Sequence, residues 1–418
     1  MIDPDSLNVW HGDTLVGHLW RDAQDRLGFG YNKDWVEQGF PLSHTLPLRS
    51  ERFPPNDGIA HAWFANLLPE AGARERIVRA LRVADDDFVL LREIGGDCAG
   101  ALSVLPVEQD PPGEREYEAL TGEAFEQLVL QRGQGAFRHR DSGHAIYPRL
   151  SLAGAQDKCP VFLDGGRFSL PQGASASSHI LKFELPGWRH VPVYEAFLNG
   201  LAAEVGLSVP RTWLGTLGKL RYLVVERFDR RWHGGEIVRL HQEDLCQVAG
   251  YRPSRKYEAD GGPSFADCMR WTRDISEAPA KDVRSLLRWQ IFNFLAGNSD
   301  GHAKNLAFVQ VEPGADRWRL APFFDLVCTR AFSQLNRRMA MAVGDQSDPG
   351  RITAMHWSAL ARDCRLRPPF VAREVRRLAD ALVEAVPAVR ARLESGHGEL
   401  PMLQQPELVI QRQCQRAV

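Results

Sequence analysis

A chain of 418 residues has room for roughly two or three domains of about 100–200 residues each, so it can bury its own core and is no disulfide-stapled miniprotein. Hydrophobic residues make up 44% and charged residues 25%, which excludes wholesale disorder. The 51 basic and 53 acidic residues leave a net charge of −2 and no whole-chain attraction to nucleic acid or an acidic membrane. Any such contact has to come from a local patch. The seven cysteines are scattered and contain no Cys-x-x-Cys pair, as expected of reduced thiols in a cytoplasmic protein. The first residues, Met1 to Asp5, hold two acids and no apolar run, so no secretory signal is expected. No segment reaches the ~18 consecutive apolar residues of a membrane span.

In chain order, Leu7 to Tyr31 reads as short strands, with Val9, Val16, Leu19, Leu27 and Phe29 at alternating places. Between Ile59 and Gly95 the period becomes helical. Ala62, Phe64, Leu67 and Leu68 share one face, and Phe88, Leu90, Leu91 and Ile94 share another. Gly95 to Gly100 reads as a helix-to-strand turn. Asp110 to Glu116, with Pro111, Pro112 and Gly113, favours neither helix nor central strand and marks a boundary. A helix over Phe125 to Leu130, a polar loop over Gly133 to Gly143, and strands at Cys159–Leu163, His179–Phe183 and Tyr222–Phe228 follow, interrupted by a helix over Tyr194–Val205. From His241 helices dominate, the strongest at Asp282–Ala296. Strands at Leu306–Val311 and Trp318–Leu320 bracket a turn at Pro313-Gly314. A helix is predicted over Phe370–Val386, and the last residues are expected to be loosely held. This divides the chain into blocks 1–109, 119–240 and 241–418 of α+β class.

The segment Asn298-Ser299-Asp300-Gly301-His302-Ala303-Lys304-Asn305 crowds polar groups between a hydrophobic helix and a strand. Asp300 and Asn305 have the Asp-x-x-x-x-Asn spacing by which a kinase catalytic loop presents a base and a magnesium ligand. The same spacing occurs at Asp3 and Asn8, so context decides. Standing alone, Asp300 reads equally as a turn or capping acid. Asp325, behind Phe323 and Phe324, stands where a second magnesium ligand belongs, since metal-bridged phosphates need hard oxygen donors. Lys182, in the apolar strand His179–Phe183, offers a cation for phosphate. A lone strand lysine is otherwise an edge residue. Glu195, on the next helix, follows in the order of a kinase lysine–glutamate pair, although a helix glutamate is most often solvated. Ser151 to Lys158 joins strand-like runs with small residues that let backbone N–H groups approach phosphate; taken alone it is an ordinary turn.

These residues carry a resemblance. Ser-Leu-Ala-Gly-Ala-Gln-Asp-Lys at 151–158, His-Ile-Leu-Lys at 179–182, Val-Glu-Arg-Phe-Asp-Arg-Arg-Trp at 225–232, Ser-Asp-Gly-His-Ala-Lys-Asn at 299–305 and Phe-Phe-Asp at 323–325 resemble, in order, the HipA family. Asn-Leu-Leu-Pro-Glu at 66–70 and Glu-Ile-Gly at 93–95 resemble its N-terminal subdomain. Members are bacterial serine/threonine kinases acting as toxins of toxin–antitoxin pairs.

The resemblance implies a two-lobed protein-kinase-like fold with that extra strand-and-helix subdomain, a kinase N-lobe over 119–240 and a mainly helical C-lobe. It implies Asp300 as catalytic base, and Asn305 and Asp325 on Mg2+. ATP would be held by Ala153, Gly154, Ala155, Gln156, Asp157, Lys158, Lys182, Glu226, Arg227, Phe228, His302, Ala303, Lys304, Asn305, Phe324 and Asp325. Glu195 pairs with Lys182, and Ser151 is the autophosphorylated serine, with a strand-end hydroxyl as its ordinary alternative. It further implies a HipB-like helix-turn-helix antitoxin, operator DNA approached through that complex, and a translation-related substrate such as an aminoacyl-tRNA synthetase. Asp157 stands where glutamate is expected, and Phe324 where tyrosine is frequent.

Other chemistries fit less well. The thirteen histidines never form His-x-x-x-His, and His139 and His144 lack carboxylate company. Arg351 to Val418 holds eleven basic against seven acidic residues, with Arg373, Arg376 and Arg377 clustered. This is a solvated helix face or a patch near operator phosphates. A small-molecule phosphotransferase and a non-enzymatic antitoxin- and DNA-holding module are the alternatives.

Overall fold

The computed structural model describes residues 6–111, 115–133, 156–184 and 187–417. They form two compact units assembled from interleaved stretches of chain. The first comprises 1–183, 224–253 and 309–317; the second comprises 184–223, 254–308 and 318–418.

The first unit begins with a four-stranded antiparallel sheet in the order Leu27–Tyr31, Thr14–Arg21, Ser6–His11, Leu102–Pro106. Its first hairpin pairs His11 with Thr14 across Gly12-Asp13, and Gly12 at φ 62° supplies the left-handed turn that matches strand twist. The alternating residues Val9, Val16, Leu19, Leu27 and Phe29 are fully buried, together with Trp63 and Phe64 from helix Ile59–Ala65. Helix Asp87–Ile94, capped by the Asp86 side chain on the Val89 N–H, runs into the Gly95–Gly100 turn and the fourth strand.

A second sheet in this unit orders Tyr117–Ala119, Arg167–Pro171, Lys158–Asp164 and His179–Lys182, then the Val224–Glu226 half of strand Leu220–Glu226. The expected strands around Cys159, His179 and Tyr222 are therefore present, as is helix Gly122–Leu130. Pro112, Gly113 and Glu114 of the expected linker lie outside the described residues.

The second unit is mainly helical. Helix Pro279–Ala296 buries Leu286, Leu287, Trp289, Ile291, Phe292, Phe294 and Leu295, and from Trp289 onward every residue of it is buried. Helices Phe265–Ile275, Pro368–His397 and Gln404–Ala417 pack on it. Two expectations need correction here. The helix predicted over Phe370–Val386 runs on to His397, because Pro387 is tolerated inside it. The last residues are not loose: Gln404–Ala417 is a helix whose Ile410, Gln413 and Cys414 are buried, and Gln413 Nε2 donates to the Phe294 carbonyl at 3.3 Å. Its apolar stripe is too sparse to read without its neighbour.

All seven cysteines are unpaired and buried, and burial pushes the thiols of Cys98, Cys159, Cys328, Cys364 and Cys414 up to about 12. Among the described residues no helix is long and apolar enough to cross a membrane.

Candidate active site

In the second unit, helix Pro279–Ala296 stops at Gly297, whose φ of 72° and N–H bond to the Asn293 carbonyl form a left-handed cap. The chain then turns through 298–306 into strand Ala307–Gln310. Between Trp289 and Phe308 every residue is buried except Asp300.

Polar partners make that burial tolerable. Asn298 Nδ2 donates to Asn293 Oδ1 at 3.0 Å, the Ser299 N–H to Thr329 Oγ1 at 2.7 Å, and Ser299 Oγ to the Arg337 carbonyl at 2.9 Å. Asp300 donates its N–H to Asn298 Oδ1 at 3.1 Å. Its carbonyl accepts the His302 N–H and Asn305 Nδ2, each at 2.9 Å. The Tyr257 hydroxyl donates to Asp300 Oδ1 at 2.8 Å, and the Tyr257 ring meets His302 edge-on at 5.1 Å between centroids.

This loop gathers opposite charges in little space. Burial, then the ammonium groups of Lys256 and Lys304, push the His302 ring well below its ordinary pKa, against the pull of the Asp325 carboxylate. The ring is neutral at pH 7. Its buried Nδ1 has no hydrogen-bond partner among the described residues, an orphan suited to a bound ligand. Asp325 holds φ 55°, a left-handed conformation unusual outside glycine and asparagine. It sits between buried Phe323, stacked on Trp289 at 5.9 Å, and buried Leu326; the Phe323 N–H donates to the Ser208 carbonyl at 2.8 Å.

With its Nδ2 spent on Asp300, Asn305 has its amide oxygen left for coordination. Among the described residues no three His, Cys, Asp or Glu side chains group as a metal site. One carboxylate and one amide oxygen fit Mg2+, which keeps several waters and is completed by phosphate oxygens rather than by a protein cage.

In the first unit, strand register sets Lys158 directly opposite Lys182. Lys182 is 4% exposed, on a strand with neighbours on both sides, which excludes the edge or surface reading. Phe183 donates its N–H to the Asp157 carbonyl at 3.1 Å and accepts Gln156 Nε2 at 3.2 Å, fixing the end of the small-residue segment. The Asp157 carboxylate is buried and pairs with Arg76 Nε at 2.6 Å. Ser151, Ala153, Gly154 and Ala155 lie outside the described residues.

Glu226 is exposed and Phe228 half-buried, while Arg227 points inward. Its guanidinium reaches Asp97 Oδ2 at 3.1 Å, Ser177 Oγ at 2.9 Å, the Cys98 carbonyl at 2.9 Å and Asp229 Oδ2 at 2.7 Å. Glu195, on helix Val191–Glu204 of the second unit, is 1% exposed and so is not the solvated glutamate of the ordinary reading.

Sequence reading did not find Tyr257, Asp97 or Arg76. No spacing rule joins Tyr257 to a loop 43 positions later, or Asp97 to Arg227 across 130.

Comparison with known proteins extends the picture to the whole chain. Residues 7–105 match the HipA N-terminal domain and residues 150–389 the HipA-like C-terminal domain. The Y4mE protein of Sinorhizobium fredii is 37% identical over 389 residues, covering 92% of this chain and 91% of that protein. The serine/threonine-protein kinase toxin HipA of Shewanella oneidensis is 31% identical over 403 residues, covering 92% and 89%. The structure of the Shewanella oneidensis toxin–antitoxin system, HipA and HipB with operator DNA, superposes with a TM-score of 0.82 at 28% identity, covering 98% of this chain and 97% of that one. The fold is the two-lobed, kinase-like α+β arrangement with an additional N-terminal strand-and-helix subdomain.

Proposed function

This chain belongs to the HipA family and is a serine/threonine-protein kinase of that toxin family, and from that premise we propose that it transfers the γ-phosphoryl of ATP to a protein hydroxyl through Asp300. One observation carries the reading: Asp300 is the single exposed residue in a buried polar loop, its backbone held by three hydrogen bonds. An acid so fixed and so presented serves as a general base. Residues 119–240 form the nucleotide-holding lobe and 241–418 the helical lobe, with 1–109 as the appended subdomain.

As the substrate hydroxyl oxygen attacks phosphorus, Asp300 takes the hydroxyl proton. Lys158 and Lys182 hold phosphate oxygens. Gln156 and Asp157, with Ala153, Gly154 and Ala155, cover the phosphates; Glu226, Phe228 and the main chain of Arg227, whose side chain turns inward, line the adenine. His302, Ala303, Lys304 and Phe324 border the nucleotide. Asn305 and Asp325 hold Mg2+, which when bound neutralises phosphate charge. Ser151 is the self-phosphorylation site: a doubly charged group beside a phosphate-binding loop repels ATP and switches the enzyme off.

The natural partner is a HipB-like helix-turn-helix antitoxin, with operator DNA approached through that complex. Exposed Arg373, Arg376 and Arg377 on helix Pro368–His397 support a contact near phosphates. The target is a translation-related protein such as an aminoacyl-tRNA synthetase, and the site of action is the cytoplasm.

Intact-mass spectrometry before and after Mg-ATP, with phosphopeptide mapping, tests this. One phosphoryl gained at Ser151 by the wild type and lost in Asp300→Asn supports the reading. Transfer retained by Asp300→Asn, or absence of nucleotide binding, overturns it. Labelling of protein in a cell extract separates a protein kinase from a small-molecule phosphotransferase.

A further inference from the structure

We infer that segment 326–351 is the docking surface for the protein acceptor, and that its arginine cluster selects serines and threonines flanked by acidic residues. The inference rests on the reading of Asp300 as the base and adds to it the chemical class of the substrate.

The segment follows the proposed Mg2+ ligand Asp325 and lies, within the second unit, against the residues that lead into Asp300. Arg330 donates its N–H to the Gly297 carbonyl at 3.1 Å, and Thr329 Oγ1 accepts the Ser299 N–H at 2.7 Å. Further on, the Arg337 carbonyl accepts Ser299 Oγ at 2.9 Å, and the Ala340 N–H donates to the Ser299 carbonyl at 2.9 Å. Two separate stretches, 329–330 and 337–340, are thus registered on the main chain immediately before the exposed Asp300. An acceptor whose hydroxyl reaches Asp300 lays its flanking residues on the surface bordering that loop.

This border is strongly basic. Residues 326–351 carry Arg330, Arg337, Arg338 and Arg351 against Asp345 and Asp348, and Arg416 from helix Gln404–Ala417 adds a fifth arginine. Arg416 Nη2 donates to the Gly350 carbonyl at 2.5 Å, Arg338 Nη1 to Ser347 Oγ at 3.4 Å, and Arg351 Nε lies 3.6 Å from Asp348 Oδ2. Burial lowers the pKa of Arg330, and the charges of Arg337 and Arg416 lower it further, against the pull of Cys328 and Asp348. Its Nη1 is buried with no hydrogen-bond partner among the described residues. Arg337, Arg338 and Arg416 are exposed and, among the described residues, form no ion pair.

Guanidinium groups that repel one another and are not neutralised within the chain are complementary to carboxylates from outside it, which they engage through paired hydrogen bonds. Asp348 lies inside the cluster and Asp345, its side chain 92% exposed, at the rim. Two carboxylates so placed oppose a continuous run of nucleic-acid phosphates more than the separate carboxylates of an acidic peptide.

The test is the double reversal Arg337→Glu, Arg338→Glu in the full chain, which changes two exposed side chains and leaves the main-chain bonds to Ser299 in place. Wild type, the double variant and Asp300→Asn are each incubated with Mg-ATP and cell extract, with and without nuclease treatment, and the phosphorylated sites are mapped by mass spectrometry. Sites that depend on Asp300 are expected to be enriched in flanking Asp and Glu. In the double variant their labelling should fall by about tenfold or more, with KM for ATP and the melting temperature unchanged. Wild-type sites without acidic enrichment, equal labelling by the two proteins, or a loss shared with ATP affinity or melting temperature would overturn the inference. An effect of the reversal that disappears after nuclease treatment assigns the arginines to nucleic acid and overturns it too. If wild type labels no protein, or Asp300→Asn labels as well as wild type, the kinase reading itself falls. Asp300-dependent labelling with no acidic preference sinks only the docking surface.

Discussion

Arg227 and Asp97, 130 positions apart, meet at 3.1 Å with neither side chain more than 2% exposed. Around them Asp229, Arg230 and Arg239 complete a buried charge network: Arg230 Nη2 reaches Asp97 Oδ1 at 2.7 Å, and Gly100 donates its N–H to Asp229 Oδ2 at 2.7 Å. The turn after helix Asp87–Ile94 thereby clamps the segment 226–228 that we assign to adenine. Arg227 faces inward because its charge is satisfied there.

Removing one member of such a network leaves an opposite charge buried and uncompensated. Asp97→Asn is expected to destabilise the protein by about 3–5 kcal/mol, read from urea unfolding midpoints. Burial disfavours the ionised form of Asp97, but the charges of Arg230, Arg227 and Arg239 outweigh it and hold the carboxyl well below the usual range; Asp229 is lowered likewise by Arg227 and Arg230 against its own burial. Folded pKa values below unfolded ones mean that stability is fully present above about pH 4 and is lost as pH falls further. Wild type should lose stability steeply in that range and Asp97→Asn less steeply. Equal slopes would contradict the account.

Glu243 behaves oppositely. Burial pushes its carboxyl up to about 8, opposed by hydrogen bonds from Ser43 and Trp63; Trp63 Nε1 donates to Oε2 at 3.3 Å. Between the unfolded pKa of about 4.3 and the folded one, the unfolded chain has released a proton that the folded chain keeps, so stability falls as pH rises through this window. Glu243→Gln should therefore gain stability relative to wild type on going from pH 4 to pH 8, by a few kcal/mol, in paired denaturation curves. A constant difference between the two proteins would show that the carboxyl titrates normally.

Arg76 holds Asp157, whose carboxyl burial pushes up while Arg76 and Arg132 pull it down. Arg76→Ala should cost about 1–3 kcal/mol and raise KM for ATP several-fold, with kcat less affected, because Asp157 ends the proposed phosphate-covering segment. Unchanged ATP affinity in steady-state kinetics would separate the ion pair from nucleotide binding.

Asp325→Asn changes the proposed Mg2+ ligand while keeping the left-handed backbone, which asparagine adopts readily. Expected are an unchanged melting temperature and a Mg2+ requirement for transfer raised by about tenfold or more. A wild-type Mg2+ titration would remove Asp325 from the site.

Elements whose periodicity exceeds two turns or three alternations were legible: the first three strands, helix Pro279–Ala296 and the strands around Cys159 and His179. Helix Gln404–Ala417 was not, since Ile410, Gln413 and Cys414 make a stripe only when Phe294 lies beneath it. Asp300 and Asn305 were legible because one short loop carries both. Tyr257 was not, because its partner lies 43 positions away along the chain.

The sequence by itself determined the α+β class, the reduced cysteines, the polar loop behind a hydrophobic helix, and the family resemblance. All of these rest on residues within a few turns of one another, where side-chain spacing and backbone geometry are directly coupled. Tertiary structure alone decided that Arg227 turns inward to Asp97, that Lys158 stands opposite Lys182, and that the Tyr257 hydroxyl meets Asp300. Those pairings join groups that only burial brings within hydrogen-bond range, and a buried charge or polar group takes whichever partner the packed chain places beside it.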